Sequence, residues 1–318
     1  MGYGISGHLG IAKETSWGTG VAATDYVKML NETLALAIDR FDITNVHGSI
    51  AEPDDAAGVR RVEGSIEFAA HPVSIGYFLK SLFVQSSITV VASGFLWQTQ
   101  FRSTTADFAV GTCAGQPYTL EVFRDVTSSH RYTGVVANQL TLGYAPNQDV
   151  RVTAGVIGKS ASLIAKTTPT FPGSPSQPFT FDTASLSLAG AATARIEALR
   201  IVIDAQLEGI PALNASTEVA KVLRRGPQMV NLSGTIDFLD VAEYQDFVNQ
   251  TERQLKVTVT KANSFMMSVD VPRMVYTAFP AQIGGRERLT VDFEAKAFYH
   301  SGSGTAIEVL LTTVKSDY

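Results

Sequence analysis

The sequence predicts a mostly β protein (β+α) built as two tandem domains, each with one short flanking helix. Three observations carry that prediction. Apolar residues alternate along segment after segment, a five-residue strand followed by a helical run occurs twice, and a proline-rich stretch separates the two occurrences.

Residues 34–39, Leu-Ala-Leu-Ala-Ile-Asp, have apolar side chains at alternate positions, and residues 199–204, Leu-Arg-Ile-Val-Ile-Asp, repeat the pattern 165 residues later. Each reads as a strand with one buried face. Residues 64–68, Gly-Ser-Ile-Glu-Phe, are answered 170 residues later by Gly-Thr-Ile-Asp-Phe at 234–238. After each the period changes to about 3.6. In the first copy Ile75, Phe78, Leu79, Leu82 and Phe83 share a helix face behind Pro72, a favoured first helical residue. In the second, Asp240 is placed to cap, Glu243 follows as in a capping box, and Tyr244, Phe247 and Val248 form the apolar face. Later strands are expected at 120–124, 140–144 and 150–156, and at 255–260, 268–271, 275–279 and 289–297. These late strands match at an offset nearer 137, so the first copy carries an insertion, placed at 84–117. Residues 166–178 contain four prolines and little to bury, which makes them a stiff linker. The domains are thus 1–165, with an N-terminal arm, and 179–318. A single large β-sandwich would also alternate, but alternation alone does not put a helix behind the same strand twice.

Composition narrows the function. The 318 residues carry 25 Lys+Arg against 30 Asp+Glu, a net charge of −5, which disfavours a basic nucleic-acid-binding surface. Hydrophobic residues make up 45% and charged residues 17%, enough to bury a large core and sparse enough to suggest that partners cover part of the surface. The longest apolar stretch, 88–97, is broken by Ser93 and Gly94 and is too short to span a bilayer, so no membrane insertion is expected. The N-terminus lacks the pattern of a secretory signal, and the chain is expected to be made in a cytoplasm. Without such a signal, the sequons at Asn31, Asn214, Asn231 and Asn249 carry no glycosylation argument.

Catalytic groups are hard to assemble. The five histidines, His8, His47, His71, His130 and His300, have no ligand spacing, and Cys113 is the only cysteine, so neither metal nor cofactor is expected. Gly2, Gly4 and Gly7 fit a dinucleotide fingerprint only formally, because no strand precedes them. Phosphate-loop and nucleophile-elbow motifs do not occur. The acids Asp39 with Asp204 and Glu67 with Asp237 recur at matched positions, but on strand faces opposite the apolar residues, where solvated side chains belong. No catalytic residue is assigned. Arg60-Arg61 and Arg224-Arg225 stand in comparable places and are candidate interface residues, together with Pro53, Asp54 and Asp55 in the loop expected at 40–61.

Residues 10–19, Gly-Ile-Ala-Lys-Glu-Thr-Ser-Trp-Gly-Thr, resemble the opening of tail tube proteins from long non-contractile bacteriophage tails. Residues 178–190 running into 196–204 resemble the same family again. The resemblance implies β-sandwich or barrel tube domains that join side by side into rings. It implies stacking of the rings into the tail tube of the virion. With two such domains per chain, a trimeric ring of pseudo-sixfold symmetry is expected. Implied partners are further copies of the chain, the tape-measure protein, the tail tip and tail terminator proteins, and genomic DNA in transit without specific binding. Alternatives are a tube subunit of a type VI secretion or contractile injection system and a non-catalytic β-sandwich binding module. A channel for a polyanion should be acidic or neutral, which makes Asp39, Glu67, Asp204, Asp237, Asp292 and Glu294 lumen candidates. Residues 1–20 and 40–61 are expected to be mobile until subunits meet, and the role of the aromatics Phe95, Trp97, Phe101 and Phe108 in the insertion is left open.

Overall fold

In a computed structural model, the described residues are 3–44, 48, 51, 54–83, 85–92, 96–103, 113–173, 177–261, 264–282 and 288–318. Strands dominate, and all pairings between them are antiparallel. The first half contains β1 (His8–Lys13), β2 (Asp25–Val27), β3 (Met29–Glu32), β4 (Ala35–Asp42), β5 (Asp55–Ala69), α1 (Ile75–Leu82), β6 (Gln85–Ala92), β7 (Leu96–Arg102), β8 (Tyr118–Phe123), β9 (Ser128–Tyr144), β10 (Arg151–Gly158) and β11 (Ser160–Ala165). The second contains β12 (Ala184–Leu188), β13 (Ala191–Ala192), β14 (Ile196–Asp204), β15 (Leu207–Ile210), β16 (Lys221–Arg224), β17 (Met229–Asp237), α2 (Ala242–Val248), β18 (Arg253–Lys261), β19 (Phe265–Ala278), β20 (Thr290–Ala297) and β21 (Glu308–Thr313).

The pairing order repeats. In the first half β4 pairs with β5, then β10, β9, β8 and β1 in succession, with β11 also on β9. In the second, β14 pairs with β17, then β20, β19, β18 and β12, with β21 also on β19. In each half one long strand serves two layers, β9 in the first and β19 in the second. The N-terminal part of β9 pairs with β8 and β11, and its C-terminal part with β10 and β14. Gly134 lies where β9 changes layer, at φ 64°, and a Cβ there would stand 2.7 Å from Trp17 Nε1.

The halves share one core and two seams. One seam is β9 on β14, where Leu142 stands opposite Ile201 and Leu140 opposite Ile203. The other is β7, from the insertion, on β21. Phe101 is buried there, 6.4 Å from the Tyr318 ring, while Trp97 is half-buried and Phe95 and Phe108 lie outside the described residues.

Several expectations need correction. Part of the expected N-terminal arm, His8–Lys13, is the core strand β1. Leu9, Ile11 and Ala12 are core residues in β1, and Gly10 serves close packing, since a Cβ would come within 2.6 Å of Ala23. Glu14 anchors the following turn by accepting hydrogen bonds from Thr119 Oγ1 (2.7 Å), the Gly134 amide (2.8 Å) and the Gly18 amide (2.7 Å). The two ends of the segment 40–61 are strand, residues 40–42 in β4 and 55–61 in β5. Residues 268–271 and 275–279 are joined within the single strand β19, which runs through Pro272 and ends at Ala278. Residues 72–74 form a turn, so α1 starts at Ile75.

The largest correction concerns α2. Tyr244 and Val248 are exposed, and Glu243 and Asp246 face inward. Arg195 donates to Glu243 at 2.7 and 3.1 Å, and Arg253 to Asp246 at 2.7 Å through two nitrogens. Of the expected apolar face only Phe247 packs against the core, and bidentate guanidinium partners hold the inward acids beside it. Asp240 does contact the helix start, accepting from the Ala242 amide at 2.8 Å.

Ile66, Phe68, Phe78, Leu79 and Leu82 are buried between α1 and the sheet, with the Phe68 and Phe78 rings 4.6 Å apart. Phe78→Ala is expected to cost about 3–5 kcal/mol in chemical denaturation. Tyr244→Ala and Val248→Ala should stay within about 0.5 kcal/mol. Glu243→Ala should cost about 1–3 kcal/mol, because it removes the bidentate partner of Arg195 and leaves the guanidinium only Asp240 at 3.4 Å and the Asp237 carbonyl at 3.1 Å.

Candidate assembly surfaces

The inner sheet runs β5–β10–β9–β14–β17–β20, and its register sorts side chains strictly by face. One face, with Ile66, Val152, Leu142, Ile201, Leu232 and Phe293, is core. On the other, Glu67, Thr153, Thr141, Val202, Asn231 and Lys296 form one row across the strands. The adjacent row holds Arg151, Gly143, Arg200, Ser233 and Glu294. A shallow depression of about 660 Å³ lies on this face around Arg151, Arg200, Ser233, Asp292 and Glu294.

The polar face is electrostatically quiet. Arg151 pairs with Asp149 at 2.9 Å and Glu67 at 3.7 Å, and Thr235 Oγ1 donates to Asp292 at 2.7 Å. The carboxylates of Glu63, Glu67, Asp204, Asp237, Asp292 and Glu294 outnumber the cations of Arg61, Arg151, Arg200 and Lys296. Among the described residues no cluster of His, Cys, Asp and Glu is arranged to hold a metal. Burial pushes the Cys113 thiol up to about 12, which removes it as a nucleophile near neutrality.

Two hairpin arms leave the same end of this sheet. The arm built by β15 and β16 folds back on the first half, and that built by β4 and β5 does not. On the latter Leu36, Ile38, Phe41 and Ile43 are 36%, 45%, 56% and 38% exposed. Among the described residues nothing pairs with the outer edge of β3 or β4.

A family model described as phage tail tube protein matches residues 4–297. The chain belongs to the phage tail tube protein family. No curated protein matches it. Membership makes the chain a structural virion component that self-assembles into a tube. No described helix is long and apolar enough to cross a membrane.

Against that family, the candidate residues fall on two regions. Glu67, Asp204, Asp237, Asp292 and Glu294 share the polar face. Asp39 lies at the arm's base, 2.7 Å from Arg61, which also pairs with Glu63. Asp55 pairs with Arg40 across the arm, the Asp54 backbone carbonyl accepts from the Ile43 amide at 2.8 Å, and Pro53 is outside the described residues. The arginine pairs are split. Arg61 is tied to carboxylates, and Arg224 donates to the Ala205 and Leu82 carbonyls at 3.0 and 3.3 Å, whereas Arg60 and Arg225 are exposed. The cations Arg151, Arg200 and Lys296 were missed as members of the polar face, although the alternation that picked out the acids applies to them too.

The C-terminal segment crosses to the first half through Lys13–Asp317 at 2.7 Å and Lys315–Asp25 at 3.0 Å. Lys13 holds the Asp317 carboxyl below its ordinary range. For Asp25, hydrogen bonds from Tyr77 and Lys315 outweigh the opposing effect of burial. A depressed carboxyl stabilises the fold above its unfolded value and stops doing so as pH falls through the folded one. Amide protection factors at 314–318, corrected for the intrinsic pH dependence of exchange, should therefore fall only below the ordinary carboxylate range.

Proposed function

We propose that the chain is a duplicated tube subunit, with tube domains at 1–165 and 179–318, a linker at 166–178 and an insertion at 84–117 in the first domain. Three copies close into a ring of pseudo-sixfold symmetry, and rings stack into the tube that encloses the tape-measure protein and conducts the genome. Tail tip and tail terminator proteins cap its ends, and no step is catalytic. The observation that carries this reading is the repeated pairing order, with the two repeats joined edge to edge by β9 and β14 into one sheet that has one polar face. A closed ring pairs the strand edges that a monomer leaves open. The polar face is the wall of the channel, where Thr, Ser and Asn side chains lie among carboxylates that outnumber the cations, and where Arg151 and Arg61 are already paired with Glu67 and Glu63, so the net field does not favour phosphates.

Electron microscopy of concentrated protein should show rings with sixfold appearance and three chains, stacking into tubes. Persistent monomers, or six chains per ring, would sink the reading. Replacing Asp204, Asp292 and Glu294 by Lys should leave tubes intact but make them retain duplex DNA in a salt-sensitive way, measured by co-sedimentation across a salt series. Unchanged DNA retention would move these residues off the wall.

A further inference from the structure

We infer that the β4–β5 arm is a lateral clasp: its inner face, Leu36 and Ile38, docks on the second half of another copy of the chain, as the β15–β16 arm docks on the first half of its own. This rests on the ring reading above, and it names the surface that closes the ring.

The two arms occupy the same place in the repeated pairing order. β4 and β14 each precede and pair with the strand that leads into a helix, and each arm extends that pair beyond the sheet. Their environments differ. Along β14 and into its arm the inward residues stay covered: Ile201, Ile203 and Ala205 are 0% exposed and Leu207 is 8% exposed. Two things cover them. The first-half strand β9 pairs along β14, and the arm lies on the first half, where the Arg60 amide donates to the Thr217 carbonyl at 2.7 Å and the Ala114 amide to the Val222 carbonyl at 2.8 Å. Val219 and Val222 are 1% and 0% exposed in that contact.

The same inward alternation in the first half runs Leu34, Leu36, Ile38, and it loses cover abruptly. Leu34 is 2% exposed, Leu36 36% and Ile38 45%. No strand plays the part of β9 on the outer edge of β3 and β4 among the described residues. A matching vacancy exists in the second half. The C-terminal part of β19 pairs with β20 on one edge, while on the other its only ladder partner among the described residues is Arg253. One half thus lacks a strand on its β4 edge and the other lacks one on its β19 edge. β9 and β14 already show these two kinds of edge joined. The occupant is a second copy because it carries both complementary edges; on the arm Arg40 and Asp55 neutralise each other, and Arg60 stands beside Ile38 at the margin of the apolar pair.

The test compares full-length wild type with Leu36→Asp/Ile38→Asp on the inner face and Phe41→Asp/Ile43→Asp on the opposite face. Circular dichroism checks folding, and mass photometry and electron microscopy count rings and tubes. The inner-face variant should be folded and monomeric even at about tenfold the concentration at which wild type forms rings, a shift of about 1.4 kcal/mol or more. The opposite-face variant should still close rings. A folded inner-face variant that closes rings normally, losing only their stacking, overturns the clasp and assigns the arm to contacts between rings. Should that variant fail to fold, hydrogen exchange on isolated wild-type rings decides. Protection gained at 35–42 and 274–282 supports the clasp, and exchange unchanged from monomer refutes it. Wild type that forms no rings removes the ring reading itself, whereas rings indifferent to the arm remove only the clasp.

Discussion

The structure depends on the sharing of strand β9. Its 17 residues pair with β8 and β11 at one end and with β10 and β14 at the other, so one continuous segment holds two layers and both halves. Such a strand needs a sharp change of direction, which Gly134 supplies in the left-handed region and Glu14 and Trp17 secure through its amide and carbonyl. Its C-terminal part has no free edge. Leu140 and Leu142 are fully buried, and the core residues of both halves form one contiguous cluster. Pulling the halves apart would expose apolar surface and a row of backbone donors and acceptors together, which opposes separation more strongly than either alone.

The two halves use one pairing order to different ends. The helix of the first is enclosed, with Tyr318 from the far end of the chain covering it near Tyr77. The helix of the second leaves Tyr244 and Val248 exposed and is held on its inner side by ion pairs with Arg195 and Arg253. The insertion follows the first helix, and its β7 extends the outer layer of the second half through β21. Each half therefore completes the other, and neither is a self-contained sandwich.

Much of this was legible in the residues. Strict alternation located β14, β17 and β20, and the run from Ile75 to Leu82 located α1. Facing was harder. The acids of α2 are buried because Arg195 lies 48 residues before Glu243 in sequence and next to it in space, and no local pattern announces such a pairing. The glycines near the N-terminus suggested a free arm, but Leu9 and Ile11 alternate just as a core strand does, and that signal was outweighed by glycine count. The acids of the polar face could be named individually because register is a local property. Their neighbours across the strands could not, since which strands adjoin is decided by topology.

The exposed arm shows where local pattern stops deciding. Leu36 and Ile38 continue the alternation of Leu34, and in sequence they are indistinguishable from Ile201 and Ile203. A strand's apolar face states only that something must cover it. In β14 the covering surface belongs to the same chain, and in β4 the described residues provide none. An uncovered apolar edge on a free subunit is a hazard unless the assembly uses it, and a tube family supplies that use. Among the described residues one edge of each kind is open at opposite ends of one sheet, and under the proposed reading this sets how copies meet. In the proposed ring, copies add in one direction, each presents the same two edges, and closure satisfies the last pair.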